Sequence, residues 1–107
     1  MADIKKVTDG SFESQVLGSD KVFVLDLFSE WCQPCKVMSP VFEELAVELG
    51  DRVNFGKVDI SDNPQIPGKY GVMSIPTFMI FKDGKEAKRM TGILPKGKFK
   101  AAIEEIL

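Results

Sequence analysis

Residues 21–36 read KVFVLDLFSEWCQPCK, and this stretch decides the fold. Its first half, residues 21–28, is a nearly continuous run of β-branched, aromatic and aliphatic side chains, typical of a central strand covered on both faces. Its second half carries two cysteines separated by two residues, just before an amphipathic helical pattern. A buried strand that leads into a helix predicts an α/β fold, with Cys32 and Cys35 where the helix begins.

Further elements are predicted on both sides of this stretch. Ile4 and Val7 indicate a short first strand, and Thr8 and Asp9 offer oxygens that could cap a helix ending at Gly18. Downstream, the pattern predicts a helix that ends at Gly50, a buried strand over 53–60 and an irregular stretch over 61–76. A hairpin of strands 77–81 and 86–90 around Asp83-Gly84 follows, and a last helix begins at Pro95. The order βαβαβ(α)ββα implies a mixed sheet with helices on both faces and an antiparallel hairpin at one edge.

Length and charge limit the class of protein. The 107 residues fit one domain, spanning 1–107, and the formal net charge of -2 has no block of like charge. Nucleic acid and membranes are therefore not expected as partners. The longest apolar runs are far shorter than a membrane span, and the opening MADIKKVTDG has no hydrophobic signal core. We expect a soluble, cytoplasmic monomer.

Two cysteines and no histidine limit the chemistry further. Cysteine proteases need an imidazole base, and zinc sites usually need four Cys or His ligands, so neither fits this chain. A disulfide between Cys32 and Cys35 would close a very small loop, worth only about 2 kcal/mol against about 3 for fifteen residues. The pair therefore predicts redox chemistry rather than a structural staple, with neither a metal nor a bound cofactor.

The place of the pair at the start of a helix predicts different roles for its two thiols. The unpaired N–H groups of the first turn favour a Cys32 thiolate by about 0.3 to 2 kcal/mol, which makes Cys32 the nucleophile. Cys35, one turn further on, is expected to be less solvated and to stay protonated longer, as a resolving thiol. Pro34 between them would limit flexing of the pair, or would merely be a good helix starter.

Asp26 interrupts the apolar strand that leads to the cysteines. Since no histidine is present, a desolvated Asp26 with a raised pKa is the candidate proton acceptor for Cys35. Lys57 in the third strand could be its neighbour and moderate that shift. The alternative places both residues at strand ends or edges in water. Trp31 likewise has two interpretations, an apolar contact for a partner or a partly buried anchor of its loop.

The motif WCQPCK resembles the WCGPCK of thioredoxins, and the likeness covers nearly the whole chain. It includes Asp26, Pro40, Lys57-Val-Asp, Asn63-Pro64, Lys69-Tyr70-Gly71-Val72, Ile75-Pro76-Thr77, Phe81-Lys82-Asp83-Gly84 and Gly92. The resemblance implies the thioredoxin fold, a central five-stranded mixed sheet flanked by four helices. It implies a thiol-disulfide oxidoreductase that reduces partner disulfides through Cys32-Cys35 exchange. Its partners would be thioredoxin reductase as electron donor and oxidised client proteins as acceptors.

The resemblance also implies a docking surface beside the cysteines. The Ile75-Pro76 bond is expected to be cis, in a loop that pairs with an extended segment of the partner. The apolar lining would comprise Trp31, Ile60, Val72, Ile75, Gly92 and Ile93, with Gly92 allowing close approach of a backbone.

Three positions depart from the family pattern. Gln33 stands where thioredoxins usually carry Gly, Phe28 where they carry Trp, and Met73-Ser74 where a polar residue and Gly are familiar. Because Gln33 adds bulk and hydrogen bonding beside the nucleophile, it predicts a changed partner preference or a modest shift in reduction potential. The departures concern partner choice more than chemistry.

Three other interpretations stay open. A specialised oxidant or isomerase of the same fold is disfavoured by the lack of a histidine between the cysteines and of a signal sequence. A copper(I)-binding module could use two thiolates, but its motif usually follows the first strand rather than the second. A scaffold or binding subunit could keep the fold with incidental redox activity.

Overall fold

The structure, a computed structural model, describes residues 3–107. Within this range the chain forms five strands, β1 (Ile4–Lys6), β2 (Val22–Phe28), β3 (Val53–Asp59), β4 (Thr77–Lys82) and β5 (Lys85–Thr91). It also forms four helical segments, a π-helical segment (Glu13–Leu17), α1 (Gln33–Leu49), α2 (Gln65–Tyr70) and α3 (Lys96–Ile106). The five-stranded mixed sheet with four helices is confirmed.

The sheet places β2 at its centre. The strand order is β1-β3-β2-β4-β5, with β2 parallel to β3 and antiparallel to β4. Every residue of β2 before Phe28 is buried, which explains the unbroken apolar run. The β4–β5 hairpin forms the antiparallel edge, as predicted, because Asp83 and Gly84 at its tip adopt the positive φ of a tight turn.

Each face of the sheet carries its own apolar cluster. On one face, Phe42 of α1 and Phe99 of α3 pack with Phe78 of β4, and the Phe78 and Phe99 ring centroids are 4.6 Å apart. On the other face, Phe12 and Phe81 pack edge to face, with ring centroids 5.7 Å apart. The covered sheet gives the segment after β2 a rigid base.

The prediction for the first helix was confirmed for Thr8 and wrong for Asp9. A π-helical segment ends before Gly18, and the Thr8 Oγ1 accepts the backbone N–H of Ser11, just before that segment, at 3.1 Å. Asp9 instead accepts hydrogen bonds from the backbone N–H groups of Gln65 and Ile66, each at 3.1 Å. Because the fold brings α2 against the loop after β1, the Asp9 carboxylate caps a helix more than fifty residues away in sequence.

The membrane and signal predictions concern different parts of the chain. No helix within residues 3–107 combines the length and the apolar character needed to cross a membrane. The signal prediction was made on the opening decapeptide, which includes residues 1 and 2, and these lie outside the described residues.

Candidate redox site

The cysteine pair lies at the N-terminus of α1, close to the end of the central strand. Cys32 is the N-cap residue, with extended backbone angles of φ -92° and ψ 111°, and Pro34 lies within the first turn. The Cys35 backbone N–H donates to the Cys32 Sγ at 3.2 Å. The two side chains form a disulfide bond. Cys32 therefore occupies the position at which helix N–H groups stabilise a negative sulfur.

In this disulfide form each of the two cysteine residues is 6% exposed. The expectation that the Cys35 thiol is less solvated than the Cys32 thiol concerns the dithiol form and stays a prediction. The two residues differ in the backbone groups around them. The Cys32 Sγ accepts the Cys35 N–H and also lies 3.8 Å from the carbonyl oxygen of Ile75. The disulfide is thus held between the first turn of α1 and the loop before β4.

Asp26 is buried in the middle of the sheet. It is 3% exposed, which excludes the alternative in which it lies in water at a strand end. Burial raises the pKa of Asp26 to about 7, and the positive charge of Lys57 limits the rise. The register of the two parallel strands places Lys57 directly beside Asp26. This carboxyl group therefore exchanges protons near neutral pH.

A cavity of about 260 Å³ is lined by both Asp26 and Cys35. Its lining comprises Asp26, Phe28, Ser29, Glu30, Cys35, Lys36, Ser39 and Lys57. Within the described residues, the Asp26 Oδ1 and the Ser29 Oγ are buried without a hydrogen-bond partner. A neighbouring cavity of about 440 Å³ also reaches Lys57 but is lined by neither cysteine. The smaller cavity is the one that brings an acid and a redox sulfur together.

The loop before β4 also lies against the disulfide, through the Ile75 carbonyl oxygen. The Ile75-Pro76 peptide bond is cis, the conformation that the family resemblance implied. The Gly92 N–H donates to the Pro76 carbonyl oxygen at 2.9 Å. Gly92 has a φ of 81°, which favours glycine at this position. Cys32, Ile75, Pro76 and Gly92 are therefore linked by direct contacts.

The remaining residues of the expected docking surface fall into two groups. Trp31 and Ile93 are 75% and 61% exposed, so Trp31 does not anchor its loop by burial. Ile60, Val72 and Ile75 are partly buried against the apolar cluster beneath them. Only Ile75 of these three has a described contact with the cysteine pair.

Two further residues of this region were not singled out as site residues from the sequence. Met73 is 95% exposed and lies two residues before Ile75, and the sequence marked it only as a departure from the family pattern. Ser29 is buried at the end of the central strand. A serine three residues before Cys32 is chemically ordinary, so only its burial and its missing partner distinguish it.

Comparison with known proteins agrees with this geometry. The family model described as Thioredoxin matches residues 3–105. The chain belongs to the thioredoxin family. A thioredoxin of Rhodospirillum rubrum is 52% identical over 95 residues, covering 89% of this chain and 91% of the relative. A thioredoxin of Bacillus subtilis (strain 168) is 44% identical over 93 residues, covering 87% and 88%.

Membership of the thioredoxin family and the geometry of the pair together define the chemistry. The chain is a thiol-disulfide oxidoreductase that acts on proteins, and its redox group is the Cys32-Cys35 disulfide. Proteins with disulfides to be exchanged and a reductase are the kinds of partner that thioredoxin-family membership suggests.

Proposed function

We propose that the chain reduces disulfides in client proteins, with Cys32 as the nucleophile and Cys35 as the resolving thiol. The observation that carries the proposal is the N-cap position of Cys32, whose Sγ already accepts the Cys35 N–H at 3.2 Å. In the dithiol form the same N–H and the helix dipole would stabilise a thiolate at Cys32. Among residues 3–107 no N–H group donates to the Cys35 Sγ, whereas the Cys32 Sγ has one such donor.

The reaction consists of two exchanges. The Cys32 thiolate attacks a client disulfide, forms a mixed disulfide, and releases one client sulfur as a thiolate. The Cys35 thiol loses its proton and attacks the Cys32 Sγ, which breaks the mixed disulfide and releases the second client thiolate. The client gains two electrons, and the dithiol becomes the Cys32-Cys35 disulfide.

Asp26 is proposed as the acceptor of the Cys35 proton, with Lys57 tuning it. The shared cavity of about 260 Å³ supports this role, because a proton can pass between Cys35 and Asp26 through water without leaving the protein. A pKa of about 7 supports it as well, since such a carboxyl group both takes up and releases protons near neutral pH.

Pro34 and Gln33 are proposed to shape the pair. Pro34 fixes its own φ in the first turn of α1 and so limits the motion of Cys35 relative to Cys32. Gln33 is exposed and adjacent to the nucleophile. Its side-chain amide would therefore contact a bound client.

The client is proposed to bind as an extended segment along the loop before β4. The surface would consist of Trp31, Ile60, Val72, Ile75, Pro76, Gly92 and Ile93. The closeness of the Cys32 Sγ to the Ile75 carbonyl oxygen supports this placement, because a segment paired with that loop would bring its disulfide to Cys32. Exposed Trp31 and Ile93 would supply apolar contact area.

We further propose that residues 1–107 form one domain that acts as a cytoplasmic monomer and is recycled by a thioredoxin reductase. One sheet with an apolar cluster on each face supports a single cooperative unit. A reducing compartment is supported by the reductive direction proposed for the exchange. Light scattering after gel filtration would test the monomer, and one cooperative unfolding transition would test the single domain.

The decisive experiment combines insulin-disulfide reduction, driven by a thioredoxin reductase and NADPH, with two cysteine variants. Cys35→Ser should accumulate a mixed disulfide with insulin, whereas Cys32→Ser should form none and lose turnover. The reduction potential should lie at about -270 mV, the value typical of thioredoxin. A potential above about -180 mV with poor turnover would support an oxidant or isomerase instead. Biological function retained in Cys32→Ser would support a scaffold.

A further inference from the structure

Ser29 presents a buried hydroxyl group beside the redox pair. It follows β2 directly and is 1% exposed, and its Oγ has no hydrogen-bond partner within the described residues. Its carbonyl oxygen accepts the Cys32 N–H at 3.3 Å, so its backbone is tied to the active-site loop. Buried hydroxyl groups are nearly always hydrogen-bonded to protein or to ordered water, so an unpartnered one indicates a bound water.

Ser29 lines the same cavity as Asp26 and Cys35. Asp26 carries the other buried polar atom without a partner among the described residues, its Oδ1. The hydroxyl can donate and accept, and the carboxylate can accept, so the two groups can hold one or more waters between them. About 260 Å³ is ample for several waters.

The other polar groups facing the cavity differ from Ser29 in exposure. Glu30 and Lys36 are exposed, and Ser39 and Lys57 are partly exposed, so bulk water solvates them. Of these four groups, Lys57 on β3 is the one whose charge acts on Asp26, and it lowers the pKa of that carboxyl group. Among the polar side chains that line the cavity between Asp26 and Cys35, Ser29 carries the fully buried hydroxyl group. It is therefore the group able to fix the position of an internal water.

We propose that Ser29 is a positioning residue whose hydroxyl holds a water between the Cys35 thiol and the Asp26 carboxyl group, and so guides the proton of the resolving step. The proposal rests on the proposed role of Asp26 as proton acceptor. It concerns the second exchange, in which Cys35 attacks, and leaves the first exchange at Cys32 unaffected.

The proposed step is balanced in atoms and charge. The Cys35 S–H gives its proton to the water, and the water gives a proton to the Asp26 carboxylate, so the water is not consumed. The Cys35 sulfur forms a bond to the Cys32 Sγ, the bond from Cys32 to the client sulfur breaks, and the client leaves as a thiolate. Asp26 afterwards releases its proton to solvent through the open side of the cavity.

The test is Ser29→Ala in the full chain, followed by stopped-flow absorbance with the disulfide probe dithiobis(nitrobenzoate). The first release of thionitrobenzoate reports the attack by Cys32, and the second reports the attack by Cys35. We expect an unchanged first phase. The second phase should slow roughly two- to tenfold near neutral pH, as for the loss of one hydrogen bond, and its pH midpoint should rise. The rise follows because loss of a donor disfavours the charged Asp26 carboxylate.

Two variants control for structural effects. Ser29→Thr keeps the hydroxyl group and should restore the second phase and its pH midpoint. Ser14→Ala, on the exposed face of the π-helical segment, should change neither phase. The urea midpoint of Ser29→Ala shows whether the variant is folded, and the pH midpoint is a readout that a purely structural change would not move.

Asp26→Asn separates the two proposals. If Asp26→Asn leaves the pH profile of the second phase unchanged, the acceptor role of Asp26 fails, and the role of Ser29 fails with it. If Asp26→Asn slows the second phase while Ser29→Ala changes neither its rate nor its midpoint, only the Ser29 proposal is overturned. Ser29→Ala added to Asp26→Asn should slow the second phase no further, and additive slowing would also overturn the proposal.

Discussion

Lys57 acts on Asp26 through its charge and not through a close ion pair. Strand register makes the two residues neighbours, yet the described residues contain no Asp26–Lys57 salt bridge within 4.0 Å. The Lys57 Nζ instead lies 5.0 Å from the centroid of the Phe28 ring. A cation at this distance reduces the effect of burial without cancelling it, so the pKa of Asp26 lies at about 7 rather than near 3.8.

Replacement of Lys57 should therefore raise the pKa of Asp26 above about 7. Lys57→Gln removes the charge that favours the carboxylate and keeps a long polar side chain. Carbon-13 NMR titration of the Asp26 carboxyl group in the oxidised protein measures the change. Lys36→Gln is the matched control, because Lys36 lines the same cavity but is exposed and screened by solvent. Equal shifts in the two variants would contradict a specific effect of Lys57.

Gln33→Gly tests the departure from the thioredoxin pattern at the position next to Cys32. Gln33 is exposed in the first turn of α1, so it is free to contact a client without supporting the core. We expect a shift in reduction potential of no more than about 30 mV, equivalent to about 1.4 kcal/mol, together with changed rates toward different client proteins. Gln65→Gly makes the same change at the first residue of α2 and should affect neither. Identical potentials and client rates in Gln33→Gly and the parent would refute a role for Gln33.

The elements that the sequence predicted correctly are those with local causes. Strand β2 is covered on both faces and so needs an unbroken apolar run, and the β4–β5 turn needs the positive φ that Asp83 and Gly84 supply. The cysteines were placed correctly at the start of α1 because they stand where the apolar run gives way to an amphipathic helical pattern. The target of Asp9 and the partnerless hydroxyl of Ser29 depend on contacts between distant segments, which no local pattern encodes.

Asp9 is predicted to stabilise α2 as its N-terminal cap. Asp9→Ala removes both acceptors from the Gln65 and Ile66 N–H groups and should lower the free energy of unfolding by about 1 kcal/mol. Urea denaturation measures the loss, and faster hydrogen exchange at Ile66 would locate it in α2. Asp51→Ala is the control, since Asp51 is an exposed carboxylate whose side chain makes no hydrogen bond within residues 3–107. Equal losses in the two variants would refute the cap.

Across the whole molecule, the same burial that prepares Asp26 for proton exchange reduces stability at neutral pH. Asp26 occupies a central strand position at which every other residue before Phe28 is apolar. A carboxyl group there remains protonated until about pH 7 in the folded chain, whereas in the unfolded chain it ionises near its ordinary value of 3.8. The redox site and the global stability are therefore linked through one proton.

The sign of this linkage gives a prediction for the oxidised protein. Between about pH 4 and pH 7 the unfolded chain has lost the Asp26 proton and the folded chain retains it, so the free energy of unfolding falls as pH rises. At about 1.36 kcal/mol per pKa unit, the raised pKa corresponds to a loss of about 4 kcal/mol, complete above the folded pKa. Asp26→Asn lacks this contribution but keeps every other titrating group. Urea denaturation measures the free energy of unfolding of both proteins from about pH 4 to pH 8. Over this range the value for Asp26→Asn should rise relative to that of the parent by about 4 kcal/mol. A difference that stays constant across this range would mean that Asp26 ionises alike in the folded and unfolded chains, and an acid of that kind could not take a proton from Cys35 near neutral pH.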